Sequence, residues 1–221
     1  MLLDLSTNHE NVLERVMKLG FKLDHFFDIG AAKGMWGKLI RTHWPECFIH
    51  FFEAAPAWEP ILQNEADSVG GNIRVNIAAA GDLDGLAYFR YDPKNPFGGV
   101  IVDKPGENTI QVPKITLDNY SKQYSPGGRY CLKLDVHGAE RLILSGAAQF
   151  MKSCDLVIFE TYNFGPAHRR FGQMAVFLEE EFGLRCFDIA EPKCRPYDNA
   201  LWQMDMYFAR PEGTTLSAWR L

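Results

Sequence analysis

Four acidic residues each stand at or just past the end of a run that is typical of a buried strand. They are Asp28, Glu53, Asp135 and Glu160. In an open parallel sheet, ligands bind outside the carboxyl ends of the strands. A buried strand end carries charge reluctantly unless that charge is paired or used. The pattern therefore predicts a ligand site built around carboxylates at one edge of a sheet.

The first two acids belong to one strand–turn–helix–strand unit. Residues 25–34 (HFFDIGAAKG) predict a buried strand and a glycine turn into a helix, and residues 48–53 (FIHFFE) predict a second buried strand ending on Glu53. Glycine lets a ligand approach where a Cβ would block it. An acid about 20 residues beyond such a turn suits a ribose, because both ribose hydroxyls can donate to one carboxylate. The unit predicts a site for an adenosine-containing cofactor.

The glycine spacing distinguishes between cofactors. A dinucleotide fingerprint needs a tight G-x-G that packs a pyrophosphate against a helix N-terminus, whereas the glycines here are Gly30, Gly34 and Gly37. Asp28 is unfavourable beside a pyrophosphate but favourable beside a cation. S-adenosylmethionine carries a sulfonium, an ammonium and a ribose, and no phosphate. The pattern favours S-adenosylmethionine over NAD, and an NAD-dependent oxidoreductase stays open as the alternative.

The third acid lies in a short stretch rich in titratable groups. Residues 131–140 (CLKLDVHGAE) bring Asp135, His137 and Glu140 to a predicted strand-to-helix turn. Plain roles are available for them as a helix N-cap, a solvated loop residue and a first-turn charge, respectively. The chemical alternative is transfer to a hydroxyl, which needs a base for the hydroxyl proton. Because histidine is the side chain that titrates nearest neutral pH, His137 is the first candidate. Asp135 is the second, as base or as support for the histidine.

The same region permits a divalent metal. Asp135, His137 and Glu160 together offer hard oxygen ligands and one imidazole, which is consistent with Mg²⁺ or Mn²⁺. No ligand spacing on a single element enforces coordination. The sequence therefore permits a metal without requiring one, and we assign no metal ligand. We expect Glu160 instead to bind hydroxyls of the acceptor.

Strand-like and helix-like segments alternate along the chain, which is typical of a parallel sheet covered by helices. The predicted helices cover residues 8–19, 35–42, 56–67, 139–150 and 173–181, with a further short helix capped by Asp118. The predicted strands cover residues 26–29, 48–53, 73–79, 86–91, 111–117, 130–136, 156–160, 185–189 and 204–209. We expect one domain over residues 1–221, with a helical extension at 1–24 and loops or insertions near the acceptor site at 92–113 and 191–200.

Composition excludes several classes of protein. The net charge of -5 and the absence of a basic cluster argue against nucleic acid as a partner. The five cysteines are scattered without a C-x-x-C pair, which indicates neither a zinc site nor a redox motif. No signal peptide and no apolar run of the roughly 20 residues that span a bilayer is present. We expect a cytoplasmic protein whose oligomeric state the sequence leaves open.

Several ordered blocks resemble the FkbM family of S-adenosylmethionine-dependent methyltransferases. The most specific is residues 133–140 (KLDVHGAE); the others are residues 28–34, 52–56, 116–118, 144–147, 158–160 and 203–208. The resemblance covers roughly residues 26–210. It departs from the family pattern at Ala32, where many relatives have asparagine, and at His137, where the family often has Glu or Gln.

The resemblance implies a class I methyltransferase fold: an α/β, Rossmann-like, mostly parallel seven-stranded sheet with helices on both faces and an antiparallel last strand. It also implies methyl transfer to an oxygen of a small molecule, a sugar or a lipid-linked glycan. At the methionine end of the cofactor it implies Asp28, Gly30 and Gly34, at the ribose Glu53, and at the adenine Ala79 to Asp82, with Asp82 accepting from the amino group. Ala31 and Ala54 are also expected to bind the cofactor.

The acceptor itself is not identified by the sequence. Aromatic residues in the second half of the chain are candidates for stacking on a sugar ring or a polyketide: Tyr162, Phe164, Phe171, Tyr197 and Trp202. Such residues more often belong to an ordinary core. A non-catalytic module that binds the cofactor without doing chemistry therefore also stays open.

Overall fold

The computed structural model describes residues 7–125, 127–165 and 170–211. Its helices are α1 (His9–Lys18), α2 (Trp36–His43), α3 (Glu59–Val69), α4 (Leu117–Tyr124), α5 (Glu140–Ser145) and α6 (Phe171–Phe182). Its strands are β1 (His25–Ile29), β2 (Phe48–Glu53), β3 (Ile73–Ile77), β4 (Ala79–Ala80), β5 (Gly85–Asp92), β6 (Asn95–Val102), β7 (Thr109–Ile115), β8 (Tyr130–Leu134), β9 (Cys154–Tyr162), β10 (Arg185–Cys194) and β11 (Leu201–Ala209). None of the helices in these ranges is long and apolar enough to cross a membrane.

The chain divides into two compact units. One, the central unit, comprises Leu23–Cys154; the other, the terminal unit, comprises the described residues of Met1–Lys22 and Asp155–Leu221. The expectation of a single domain stays a prediction.

The central unit contains four parallel strands in the order β8-β1-β2-β3. Parallel strands are normally buried on both faces and read as continuous apolar runs, and β1 and β2 do so: Phe26, Phe27, Ile49 and Phe51 are all fully buried. In register, Ile29 lies beside Phe52 on one side and Leu134 on the other. The residues that follow β1 and β8 and the last residue of β2 therefore reach the same edge of the sheet.

A small second group of strands in the central unit has the order β4-β7-β5-β6. Loops or insertions were expected over residues 92–113, but Asn95–Val102 within this range is strand β6, paired antiparallel with β5. Strand β6 is at the edge of this group, where a proline without an N–H is tolerated. Pro96 therefore does not prevent pairing.

Two predicted helix boundaries were also wrong. The helix expected over residues 139–150 ends at Ser145, and a short 3₁₀ helix (Phe150–Ser153) follows. Gly146 lies so close to another segment that an added Cβ would be 2.2 Å from the Gly81 carbonyl oxygen. Helix α4 is capped by Thr116, whose side chain accepts from the Asn119 amide. Asp118, predicted as the cap, instead accepts from the Phe150 amide.

The described part of the terminal unit is an antiparallel array with two helices. Strand β11 pairs antiparallel with β9 and with β10, as expected for the closing strands of the chain. Helix α6 ends at Phe182 and is followed by Gly183, which adopts the left-handed conformation typical of a helix C-terminus. Helix α1 is tied to β10 by the ion pair between Arg15 and Asp188, with 2.7 Å between Nε and Oδ2.

Candidate functional site

A cavity lies at the carboxyl ends of β1, β2 and β8 in the central unit. Its described lining consists of Ile29, Gly30, Ala32, Phe52, Glu53, Ala54, Trp58, Ala78, Ala79, Ala80, Phe89, Pro96, Phe97, Gly98, Gly99, Ile101, Asp135, Val136, His137, Ala139 and Ile143. Two of these side chains are carboxylates, and none is Lys or Arg. The site therefore favours a ligand that carries positive charge and hydroxyl donors over one that carries phosphates.

The turn after β1 brings two backbone segments into very close approach. Gly30 has a φ of +86°, and a Cβ added to it would lie 2.0 Å from the carbonyl oxygen of Asp135. The Gly30 and Ala31 amides donate to the Phe52 carbonyl, at 2.9 and 3.0 Å. Only glycine satisfies both the backbone angle and the space here. This turn therefore holds the ends of β1, β2 and β8 together.

Glu53 is the buried acid at the end of β2. Its Oε2 accepts from the Ala32 amide at 2.8 Å and its Oε1 from the Ala55 amide at 2.7 Å. Burial raises the pKa of this carboxyl, and the two amide hydrogen bonds act in the opposite direction. Each carboxylate oxygen has about two lone-pair sites, so both retain capacity to accept from a ligand. The amides fix the carboxylate at the cavity wall.

Asp28 is not among the described residues that line the cavity, and its assignment to the cofactor stays a prediction. It is fully buried, and the Lys133 ammonium lies 3.2 Å from its Oδ1 and 3.3 Å from Oδ2 of Asp135. Burial raises the pKa of Asp28, whereas the Lys133 charge lowers it. The Lys133 ammonium compensates the charge of this buried carboxylate. Asp28 is therefore linked to the cavity indirectly, because the Lys133 ammonium that pairs with it also pairs with Asp135 in the cavity lining.

The turn after β8 presents two of the predicted catalytic side chains to the cavity. Asp135 and His137 both line it, and His137 is exposed with a φ of +53°. Non-glycine residues seldom adopt a positive φ, and those that do are concentrated at functional sites. Glu140 is buried at the start of α5, and its carboxylate accepts from the Gly138 amide at 2.8 Å. Glu140 thus stabilises the turn that carries His137.

Three other residues implied at the cofactor do not line the cavity. Ala31 contributes only its backbone to the turn, and Gly34 packs so closely on α3 that a Cβ would lie 2.8 Å from Leu62. Asp82, expected at the adenine, is paired with Lys114 at 2.8 Å, and this hydrogen bond lowers its pKa. Ala54 and Ala79, in contrast, do line the cavity.

The sequence missed the aromatic side of the same cavity. Trp58, Phe89 and Phe97 line it, and Phe97 belongs to the segment that was predicted to be a loop. A tryptophan in the 3₁₀ helix Pro56–Trp58, which follows the acid-ended strand after Ala54 and Ala55, was the available signal. Nothing local in the sequence indicates that β6 folds back to this point.

Glu160 lies on β9 of the terminal unit. Its carboxylate accepts from the Tyr162 hydroxyl and from the Gln203 amide. The donors come from its own strand and from β11, which pairs with β9 so that Asp205 is opposite Glu160. Glu160 is therefore held in one orientation by two polar neighbours.

A second cavity in the terminal unit collects several of the aromatic residues. Its lining includes Phe164, Tyr197 and Trp202, together with Asn163 and Arg195. The Phe164 and Trp202 rings are nearly parallel with 5.4 Å between centroids, and Tyr197 is 77% exposed. Tyr162 does not line this cavity but contacts the Phe164 ring edge-on, and Phe171 is also outside the lining. The Arg195 charge is paired with Asp198.

Comparison with known proteins identifies the fold. The precorrin-6Y C5,15-methyltransferase of Geobacter metallireducens has a TM-score of 0.50 and 11% identity, over 90% of this chain and 86% of that one. An rRNA methylase from Streptococcus thermophilus also has a TM-score of 0.50, with 7% identity over 90% and 93% of the two chains. Among curated proteins, no match was found. The predicted α/β, class I methyltransferase fold with a mostly parallel sheet is confirmed.

A profile of the methyltransferase FkbM domain matches residues 28–186, which include the glycine turn, Glu53, and the Asp135–His137 turn. This family assignment supports methyl transfer with S-adenosylmethionine as the cofactor. The chain belongs to the FkbM methyltransferase family.

Proposed function

We propose that this chain is an S-adenosylmethionine-dependent O-methyltransferase that acts on a hydroxyl of a small molecule, a sugar or a lipid-linked glycan. The observation that carries the proposal is the composition of the central cavity. Buried Glu53, the Gly30 turn, Asp135 and His137 all line it, without a Lys or Arg among the described lining residues. S-adenosylmethionine supplies a methyl group on a cationic sulfur, which such a site suits.

The residues fit this cofactor in two respects. The Glu53 carboxylate is fixed by the Ala32 and Ala55 amides and can accept from both hydroxyls of a ribose. The absence of a side chain at Gly30 lets the Asp135 backbone lie against the turn, so that Gly30 and Asp135 line the cavity together at the proposed methionine end of the ligand. We assign no direct cofactor contact to Ala31, Gly34 or Asp82.

His137 is the proposed general base. An alcohol must lose its proton as it accepts the methyl group, and a base in reach of that proton typically contributes about 10²–10⁴-fold to the rate. His137 lines the cavity in a left-handed turn that Glu140 supports through Gly138. Asp135 is paired with Lys133, so we give it the role of orienting the base and the acceptor rather than that of taking the proton.

The acceptor is proposed to contact Glu160 and the aromatic cavity of the terminal unit. Tyr162 connects these two features, because its hydroxyl donates to Glu160 while its ring packs against Phe164. Stacked and exposed rings suit an acceptor with a flat or ring-shaped apolar face. Since Arg195 is paired with Asp198, its charge is already compensated. This supports an uncharged acceptor.

The test is transfer of a labelled methyl group from S-adenosylmethionine to uncharged glycosides, lipid-linked glycans and a short RNA. We expect label on a hydroxyl of a glycoside or glycan and none on RNA. His137→Gln should lower kcat by about 10²–10⁴-fold, while Tyr124→Ala, at an exposed residue outside both cavities, should retain activity. Label on nitrogen, carbon or RNA would contradict the acceptor class.

The same assay tests for a metal. Because the proposed chemistry uses only side chains and the cofactor, a chelator should leave the rate unchanged. A rate that falls with chelator and returns with Mg²⁺ or Mn²⁺ would instead make Asp135, His137 and Glu160 candidate ligands.

A further inference from the structure

Four polar side chains of the central unit, which we call the polar network, form a line of hydrogen bonds between the sheet and helix α4. His50 on β2 is fully buried, and its Nε2 lies 3.1 Å from Nδ1 of His25 on β1. The Nδ1 of His50 lies 3.1 Å from the hydroxyl of Tyr120 on α4, and the Asn76 amide on β3 lies 3.0 Å from the same hydroxyl. None of the four is in the described lining of either cavity, so the proposed reaction does not account for them.

Asn76 fixes the direction of these hydrogen bonds. Its Nδ2 also donates to the Phe51 carbonyl at 2.9 Å, so the amide nitrogen, and not the amide oxygen, faces the Tyr120 hydroxyl. The Tyr120 oxygen therefore accepts from Asn76, and its own proton is donated to Nδ1 of His50. His50 then carries its proton on Nε2 and donates it to Nδ1 of His25. The partners thus assign one tautomer to each histidine, with both rings neutral.

A proton added to His25 reverses this arrangement. It occupies Nδ1, which already faces the Nε2 proton of His50, and two N–H donors cannot form a hydrogen bond with each other. The His50 proton must therefore move to Nδ1, where it is donated to the Tyr120 oxygen. That oxygen then accepts from both His50 and Asn76, and the Tyr120 proton loses its acceptor. A buried donor without a partner is unfavourable, and Tyr120 is only 2% exposed.

The surroundings make His25, and not His50, the residue that takes up the proton. The charged and titratable groups around the network are Asp24, Arg74, Tyr124, Arg129 and Tyr130. Burial lowers the pKa of His50 to about 3, and the charges of His25 and Arg74 act in the same direction. Burial also lowers the pKa of His25, but this ring is only half-buried and the charge of Asp24 opposes the effect.

We propose that the polar network is a proton-sensing relay, in which protonation of His25 reverses the hydrogen bonds and releases the Tyr120 hydroxyl that ties α4 to the sheet. The network gains one proton from solvent: His25 ends with protons on both nitrogens, and the single proton of His50 ends on Nδ1 instead of Nε2. The Tyr120 ring packs edge-on against Phe52, with 4.7 Å between centroids, and Phe52 lines the central cavity. The relay therefore connects a half-buried histidine to the wall of that cavity.

¹⁵N NMR of the histidine rings tests the relay directly, because the shifts of Nδ1 and Nε2 distinguish the two neutral tautomers and the charged ring. On acidification, His25 should become charged while His50 stays neutral. His50 should change from the Nε2-protonated to the Nδ1-protonated form with the same midpoint. A His50 ring that keeps its tautomer through the titration of His25, or that becomes charged before His25, would overturn the proposal.

Tyr120→Phe separates the relay from simple burial. Without the hydroxyl, reversal of the network releases no donor, so the midpoint of the His25 titration should rise by about one pH unit, the size of one ordinary hydrogen bond. Tyr124→Phe is the matched control, because Tyr124 is on the same helix and its ring contacts Tyr120 at 4.8 Å between centroids, but it is outside the network. Its His25 midpoint should equal that of the unchanged protein. An unchanged midpoint in Tyr120→Phe would refute the release of the hydroxyl.

The relay also predicts how stability depends on pH. Because the folded-state pKa of His25 is lowered from 6.5, its contribution to stability is present above the unfolded-state pKa and is lost as pH falls through the folded-state pKa. The urea midpoint should therefore fall between about pH 7 and about pH 5. The fall should be shallower in Tyr120→Phe than in Tyr124→Phe, since His25 of the former titrates closer to its unfolded-state pKa. Parallel profiles of the two variants would contradict the relay.

Discussion

Lys133→Met should strongly destabilise the protein, because Lys133 neutralises a fully buried carboxylate. Its ammonium lies 3.2 Å from Asp28 and 3.3 Å from Asp135. At an effective dielectric constant of about 20, Coulomb's law gives roughly 5 kcal/mol for each contact. Desolvation of the three groups offsets much of this attraction, but removal of one partner from a buried pair costs about 3–5 kcal/mol. That loss is large beside a total stability of about 5–15 kcal/mol.

Urea unfolding of Lys133→Met, Asp28→Asn and the double variant measures the effect. The double variant should be more stable than the sum of the single changes predicts by about 1–3 kcal/mol, because Asp28→Asn removes the charge that Lys133 compensates. Lys38→Met is the matched control: Lys38 pairs with Glu65 at 3.2 Å but is largely exposed, so its loss should cost less than about 1 kcal/mol.

The destabilisation caused by Lys133→Met should depend on pH, because it depends on the charge of Asp28. Without Lys133, the pKa of Asp28, already raised by burial, rises further. A raised folded-state pKa contributes stability that is present below the unfolded-state value and is lost as pH rises through the folded-state value. Lys133→Met should therefore be less destabilising in acid than at neutral pH. A loss below about 1 kcal/mol at neutral pH, or no coupling with Asp28→Asn, would refute this account of the buried charges.

Three further changes test the cavity walls. Gly30→Ala should unfold at much lower urea concentration and lose S-adenosylhomocysteine binding, because its Cβ would lie 2.0 Å from the Asp135 carbonyl oxygen; near-normal stability would contradict the described turn. Ala32→Gly should raise the free energy of unfolding by up to about 1 kcal/mol, because Ala32 has a φ of +44° and a left-handed angle costs a non-glycine residue roughly 1–2 kcal/mol; a loss of stability would refute this. The affinity for S-adenosylhomocysteine should fall on acidification at a higher pH than an ordinary glutamate would give, because the pKa of Glu53 is raised and its protonated form loses an acceptor; Glu53→Gln should flatten that profile, and an unchanged profile would exclude Glu53 as its source.

Buried apolar runs made the parallel strands predictable from the sequence. Strand β2, Phe48–Glu53, has the predicted bounds at both ends. Strand β1 begins one residue before its predicted start. Continuous burial on both faces leaves a strong local signal. The acids at these strand ends were visible for the same reason, since charge directly after an apolar run stands out.

The features that the sequence did not predict depend on contacts between residues far apart in the chain, both strand pairs and ion pairs. Strand β6 contains two glycines and a proline, so it looks like a loop until β5 is placed beside it. Asp82 was expected at the adenine, but Lys114, 32 residues further on, pairs with it. The pairing of Asp28 with Lys133, on the adjacent strand β8, was likewise not visible in the sequence.

Calorimetric titration of the unchanged protein and of Glu53→Ala with S-adenosylhomocysteine tests the central claim most directly. A thermal melt of the same samples gives an independent readout of binding. At about 100 times its Kd, a ligand adds about 2.7 kcal/mol to the free energy of unfolding, which for a chain of this size should raise the Tm by roughly 5–10 °C. Loss of hydrogen bonds to a charged group, each worth about 1.5–3 kcal/mol, should weaken binding to Glu53→Ala at least about tenfold. Glu65→Ala, on α3 and outside the cavity, should bind like the unchanged protein. Undetectable binding to the unchanged protein, or equal affinity for Glu53→Ala, would contradict the account.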